Sequence, residues 1–325
     1  MIMHSGTFEI KGEKVLLVGF RWFKNLWDEL ILLWNIKLLQ KQKKEIYIIS
    51  QDNTRLKTFL SQEIDISTLH FIDELPRGIR STFRYLKKNK FSQISPFFQI
   101  DSIILWGWEI LTEESPHAYY YWLWSIRPSF FLKKNLYIMW GVQIPKKTIN
   151  KWLFNWILRH TQNIYCRDWE GVSELKKYWF QNVEFFMDTS YFVRENWKKY
   201  KHLSEKKYIL ININSNALQY LDDIKKEIKK YQSDYSLIYT PICTGRTDND
   251  ERYFEVLKED FPTLERYDRT NNLEDFFTLI WWAERIINTR LHLFLISSYM
   301  GVENIVFPYQ KKITKMQQVL KEMKI

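Results

Sequence analysis

Leu16 to Leu33 read LLVGFRWFKNLWDELILL. The run begins as a buried strand, Val15 to Phe20, and continues as a helix from about Asp28. A strand that turns into a helix is the layout of a loop that cradles an anion on free backbone N–H groups. Such a loop needs glycine, because the backbone turns sharply, comes close to a ligand and often takes φ > 0. Here the turn holds Trp22 and Trp27.

Outward from this stretch, short β-branched and aromatic runs alternate with amphipathic helical patterns. That alternation predicts α/β layers with largely parallel strands. In the first half KVLLVGF, EIYIIS, SIILWG, LYIMWGV, IYCRD and VEFFMD read as strands. DELILLWNIKLLQKQ, TINKWLFNWILRH and GVSELKKYW read as helices. The segment ENWKKYKHLSEKK is polar and nearly without core residues, so the expected organisation is a domain over 1–194, a linker over 195–207 and a second domain over 208–325. After the linker the pattern restarts with YILININ and closes with RIINTRLHLFLISSYMGV, NIVFPY and a basic tail helix. The expected fold class is α/β, with two Rossmann-like domains facing across a cleft and ligands bound beyond the strand C-termini.

The 325 residues carry 48 Lys and Arg against 38 Asp and Glu, a formal charge of +10. Most lysines fall in runs such as LQKQKKE and IKKEIKKY, which read first as solvated helix faces. The excess leaves room for an acidic partner, a phosphorylated substrate or an anionic membrane surface. No nucleic-acid-binding signature appears, so no nucleic acid is expected. Cys166 and Cys243 cannot build a disulfide framework, and neither has metal-ligand spacing. With no apolar run of membrane-spanning length and no signal-peptide pattern, the expectation is a cytoplasmic chain, with contact at the inner face of the membrane left open.

Four stretches in order resemble the polysaccharide pyruvyl transferase family. VGFRWFKNLWDELIL is similar to a family opening of the type G-x-x-G-x-x-N-x-G-D-E-x-I-L, and ILWGWEIL to a strand ending in G-G-G. IMWGVQIP, IYCRDWEGVSELKKYWF and MDTSYFV are similar to G-x-G-I-G-P, to a strand ending in R-D followed by S-x-x-L, and to an Asp after the next strand. IINTRLHLFLISSYMGVENIVFPYQKK is similar to the R-L-H segment and the Y-x-x-K ending. The resemblance implies a fold like that of two-domain GT-B glycosyltransferases. It also implies transfer of the pyruvyl group of phosphoenolpyruvate onto a sugar, one that a lipid could carry, without a cofactor or catalytic metal.

On this resemblance His292 is the candidate acid and base, and Arg290 acts beside it. Arg167, Asn25, Asp28, Asp188 and Lys312 are the expected substrate-binding residues. Read from the residues alone, other roles stay open: a helix N-cap for Asp28, a turn for Asn25 and Asp188, and an Arg–Asp pair for Arg167 and Asp168. Lys311 competes with Lys312 for the same role. Two other functions also remain: a GT-B glycosyltransferase using a nucleotide sugar, and a non-catalytic protein that binds glycan or membrane through exposed tryptophans.

The departures from the family pattern share one form. Trp22, Trp27, Trp106, Trp108, Trp140 and Trp179 stand where the pattern places glycine. Glycine numbers only 9 and tryptophan 15, where globular chains average about 7% glycine. UGA codons read as tryptophan in one genetic code and glycine in another would produce this exchange. If they stand in for glycine, Trp22, Trp27, Trp106, Trp108 and Trp140 are expected in loops or at element ends around one cleft, with several side chains protruding, few N–H partners and some at φ > 0. Native core tryptophans would instead be buried inside regular elements with bonded indoles.

Overall fold

A computed structural model describes residues 8–19, 26–50, 52–73, 95–107, 110–113, 118–187, 207–244, 249–267, 273–308 and 311–323. The chain divides into two compact units, Met1–Phe20 with Asn35–Asp188, and Arg21–Trp34 with Thr189–Ile325. Helix α1 (Leu26–Lys41) thereby contributes its first half to the second unit. Of the expected linker only Lys207 lies within the described residues.

The first unit is built on a seven-stranded sheet. Its strands are β1 (Lys14–Gly19), β2 (Glu45–Ser50), β3 (Leu69–Asp73), β4 (Ser102–Trp106), β5 (Asn135–Met139), β6 (Thr161–Cys166) and β7 (Val183–Phe185), in the order β3-β2-β1-β4-β5-β6-β7. Every pairing is parallel. β1, β2, β4 and β5 are buried along nearly their whole length. That accounts for their continuous apolar runs, because a parallel sheet covered on both faces leaves no polar side to a strand. Asp101 fixes where β1 begins: its carboxylate accepts from the N–H groups of Glu13 at 2.8 Å and Lys14 at 3.0 Å. Gly12 is required beside it, since its φ is +77° and an added Cβ would collide with the Asp101 side chain.

The second unit carries a five-stranded parallel sheet, β8 (Tyr208–Asn212), β9 (Ser236–Tyr239), β10 (Glu265–Arg266), β11 (Arg285–Asn288) and β12 (Glu303–Val306). Its order is β10-β9-β8-β11-β12, so the first strand lies at the centre and the connections run outward both ways, as in a doubly wound sheet. Ile209, Ile211, Leu237, Tyr239 and Ile287 form its core. Helix α10 (Leu291–Met300) links β11 to β12 and is buried at nine of its ten residues, so it has no polar face to show. It stops at Gly301, which takes φ +77° and returns its N–H to Ser297 and Ser298.

Four of the six tryptophans in question are described; Trp22 and Trp108 lie outside those residues. All four stand at the ends of elements. Trp27 is in the first turn of α1 and Trp106 ends β4. Trp140 follows β5 with φ +61°, and Trp179 follows helix α6 (Trp169–Tyr178) with φ +120°. The expectation of protruding indoles fails at each of the three tryptophans it covered that are described: Trp27, Trp106 and Trp140 are buried, and only Trp179, to which it did not extend, is exposed, at 45%. An indole offers 150–250 Å² of mostly apolar surface, and the gain from removing it from water draws it inward even from a turn. Burial is imperfect at Trp106, whose N–H finds no acceptor among the described residues, while the Trp140 N–H donates to the Phe186 carbonyl at 3.3 Å. The Trp106 ring also lies where a Cβ on Gly19 would be.

Gly301→Ala tests the cap on α10. The space around it is open, so any loss comes from the backbone alone, and a fall of about 1–2 kcal/mol is expected in urea unfolding. An unchanged midpoint would show that the αL conformation does not hold the helix end.

Candidate functional site

The centre of the candidate site is a buried ion pair at the C-terminal ends of the second sheet. Asp250, fully buried, immediately precedes helix α8 (Glu251–Asp260). Its carboxylate receives Nη2 of Arg290 on Oδ1, and on Oδ2 Nε of Arg290 at 3.3 Å, Nδ2 of Asn212 at 3.1 Å and the N–H groups of Ile242 and Cys243, each at 3.1 Å. Tyr239 donates its hydroxyl to the Asp250 carbonyl at 2.6 Å. Three chain segments thus converge on one carboxylate, the end of β8, the loop after β9 and the turn from β11 into α10, while the end of β9 holds the Asp250 backbone.

Arg290 is the N-cap residue of α10, in an extended conformation, and His292 is the second residue of the helix. Thr289, just before it, accepts from the Asn214 N–H at 3.0 Å and ties this turn to the segment after β8. The R-x-H pair therefore sits at a strand-to-helix turn. His292 is buried there, only 7% exposed. Its ring lies 5.3 Å from that of Trp27, which also meets Phe276 of helix α9 (Leu273–Trp281) edge-on at 6.1 Å.

The first turn of α1 completes the cluster. The Leu26 N–H donates to the Ile242 carbonyl at 3.4 Å, from the same loop whose amides bind Asp250. Asp28 is buried beside this turn, and its carboxyl holds its proton up to about pH 8. Burial is the main cause, the negative charge of Glu29 adds to it, and the Arg290 cation pulls the other way. A neutral carboxylic acid, an imidazole and a fixed guanidinium thus share one region of the second unit. Such a set can hold an anion and move a proton.

Of the residues expected to bind substrate, Asp28 joins Arg290 and His292. Arg167 belongs to the first unit, where it is buried directly after β6. Its neighbour Asp168 caps α6 by accepting from the Gly171 N–H at 2.7 Å, a role not among those read from the sequence. Asn25 and Asp188 lie outside the described residues, as does the side chain of Lys312, which falls in the first turn of helix α11 (Lys311–Glu322). Cys166 and Cys243 are buried free thiols, and burial pushes Cys166 up to about 12. Asp250 was not singled out from the sequence. It lies 40 residues from Arg290 and reads there only as the start of a helix. Among the described residues no group of three or more His, Cys, Asp and Glu could hold a metal ion, and no helix is long and apolar enough to cross a membrane.

Two measurements follow from this geometry. Asp250→Ala strands the Arg290 cation in a buried site, and removing one partner of such a pair costs about 3–5 kcal/mol; a loss under about 1 kcal/mol would mean the pair does not organise the unit. Asp28 carries more proton when folded than when unfolded over the interval between its ordinary value of 3.8 and about 8. Its contribution to stability is therefore full below that interval, falls as pH rises through it and is gone above about pH 8. Asp28→Asn, neutral at every pH, should flatten this part of the stability profile, and an unchanged slope would place the ionised form in the native protein.

The family model for polysaccharide pyruvyl transferase matches residues 19–311. A search of the curated proteins finds no match. Among solved structures the chain is similar to a putative UDP-N-acetylglucosamine 2-epimerase from Listeria monocytogenes, at TM-score 0.59 and 12% identity, covering 93% of this chain and 82% of that one. It is similar to the UDP-GlcNAc 2-epimerase from Neisseria meningitidis bound to UDP-GlcNAc, at TM-score 0.57 and 12% identity over 95% and 91% of the two chains. A glycosyltransferase from Rickettsia africae gives TM-score 0.58 at 13% identity over 91% and 79%. At such identities the likeness speaks for the fold, which is the GT-B-like α/β arrangement of two Rossmann-like sheets. A match that spans nearly the whole chain places it in the polysaccharide pyruvyl transferase family.

Proposed function

We propose that the chain moves the pyruvyl group of phosphoenolpyruvate onto two hydroxyls of one sugar in a polysaccharide precursor, forming a ketal. The observation that carries this reading is the cluster of Arg290, His292 and Asp28, which combines a fixed cation with two groups able to carry a proton near neutral pH. In the reaction a proton goes to the methylene carbon of the donor and C2 becomes an oxocarbenium-like electrophile. One sugar hydroxyl bonds to C2 and gives up its proton. Phosphate then leaves with the electron pair of its C–O bond, and the second hydroxyl, losing its own proton, closes the ketal.

His292 delivers the first proton and accepts one back. Arg290, held rigid by Asp250, binds the donor's carboxylate or phosphate and offsets the charge that grows on the leaving group. Arg167, in the first unit, is a further substrate-binding cation in this reading. Asn25, Asp28, Asp188 and Lys312 complete the substrate contacts in this reading. No cofactor is required. A precursor carried on a lipid would bring the protein to the cytoplasmic face of a membrane, where its positive charge suits anionic headgroups.

A second reading is a nucleotide-sugar glycosyltransferase, favoured by the likeness to a structure bound to UDP-GlcNAc. Thermal shift separates the two, because a ligand that binds only the folded state raises the melting temperature by mass action. In the protein isolated from its own cells, phosphoenolpyruvate is expected to raise the melting temperature and UDP-GlcNAc to leave it unchanged; the reverse result would replace the proposal with the second reading. His292→Gln, which roughly preserves the buried volume, should cut pyruvyl transfer by about 10²–10⁴-fold. Near-full activity in that variant would remove His292 from the chemistry.

A further inference from the structure

We infer that position 27 is glycine in the protein as its own cell makes it, and that the space now filled by the Trp27 indole, beside Arg290 and His292, is the site for the phosphorylated carboxylate donor. This rests on the proposed function for the identity of the ligand, though not for the identity of the residue.

A histidine that hands a proton to a substrate must be reachable, yet His292 is buried with an indole 5.3 Å away, ring to ring. Trp27 is itself 2% exposed and lies in the first turn of α1. The amides of a first helical turn are the ones with no partner inside the helix, and they suit a phosphate or carboxylate that can approach them. A glycine at position 27 uncovers the imidazole and the start of α1, where the Leu26 N–H already has the Ile242 carbonyl, while Asp250 keeps Arg290 in place.

The same residue type is out of place at positions where the backbone itself reports what belongs there. Among the described residues the non-glycine positions with positive φ are Lys43, Lys133, Trp140 and Trp179. The two lysines, at +57° and +51°, lie in the ordinary left-handed region. Trp179, at φ +120° and ψ −10°, lies well outside it, at the end of a helix where glycine is the usual residue. Trp140, at +61°, is a bulky residue in a conformation that favours glycine, and the ring of Trp106 crowds Gly19. One cause covers all four sites: UGA codons read as glycine in the cell and written as tryptophan here.

The test has three parts. Peptides from the protein isolated from its own cells are sequenced by mass spectrometry across positions 27, 106, 140 and 179. Glycine supports the inference and tryptophan overturns it. Trp179→Gly, placed in the chain as written, relieves strain without opening the core, and its melting temperature should rise by roughly 2–4 °C; a fall would overturn the glycine assignment. Trp27→Gly, or a chain with glycine at all six positions should the single variant not fold, should bind phosphoenolpyruvate at least about ten-fold more tightly than the tryptophan chain. Unchanged affinity for every ligand tried would overturn the placement of the donor. Binding of UDP-GlcNAc but not phosphoenolpyruvate in the glycine chain would keep the opened site and overturn the proposed pyruvyl transfer.

Discussion

The carboxylate of Asp250 is where the second unit is tied together. Five donors from three segments converge on its two oxygens, and one of those segments carries Arg290 into the turn before α10. A charge of this kind is costly to bury, and it persists because nearly every lone pair has a donor. The consequence runs outward along the chain. With Arg290 held, the start of α10 is fixed; His292 projects from a set position and the largely apolar body of the helix can be buried as it links β11 to β12. The loop after β9 is fixed from the other side, and through the Ile242 carbonyl it meets the first turn of α1.

Around that pair the electrostatics are graded. Arg290 is a permanent cation, while burial keeps Asp28 in its neutral acid form to about pH 8. His292 lies close to the same turn of α1 through its contact with the Trp27 ring. In the proposed chemistry this ordering matters, because a donor bearing several negative charges needs a cation to hold it and proton carriers that do not repel it. A second ionised carboxylate there would work against binding, and the desolvation of Asp28 removes that charge without removing the group.

The tryptophans show how a fold can absorb residues at odds with its backbone. Trp27, Trp106 and Trp140 are pulled into the interior by their apolar area, although each stands at a turn or element end. Trp106 reaches zero exposure with no acceptor for its N–H among the described residues, and Trp140 keeps a positive φ. Trp179, with no core to enter, remains at the surface in a conformation that a side chain disfavours. Hydrophobic burial is non-directional and tolerates poor local geometry, whereas backbone conformation is local and steric, so the two kinds of evidence can point to different residues at one position.

Much of the fold could be read directly from the chain. Runs such as KVLLVGF and YILININ are apolar throughout because both faces of their sheets are covered, and their alternation with helical patterns gave parallel α/β layers. The R-x-H pair was legible too, since a strand followed at once by a helix leaves few conformations for the residues between them. Helices α2 (Asn53–Ser61) and α4 (Ala118–Phe131), whose patterns are less regular, were not read. The sequence did not reveal Asp250 as Arg290's partner, the neutral state of Asp28 or the packing of Trp27 on His292. Each of these depends on which segments become neighbours once β8 lies between β9 and β11. Local periodicity is set by the geometry of single elements and is written along the chain, but burial and pairing are properties of a position in space, and only the assembled sheet brings residues 28, 250 and 290 to one place.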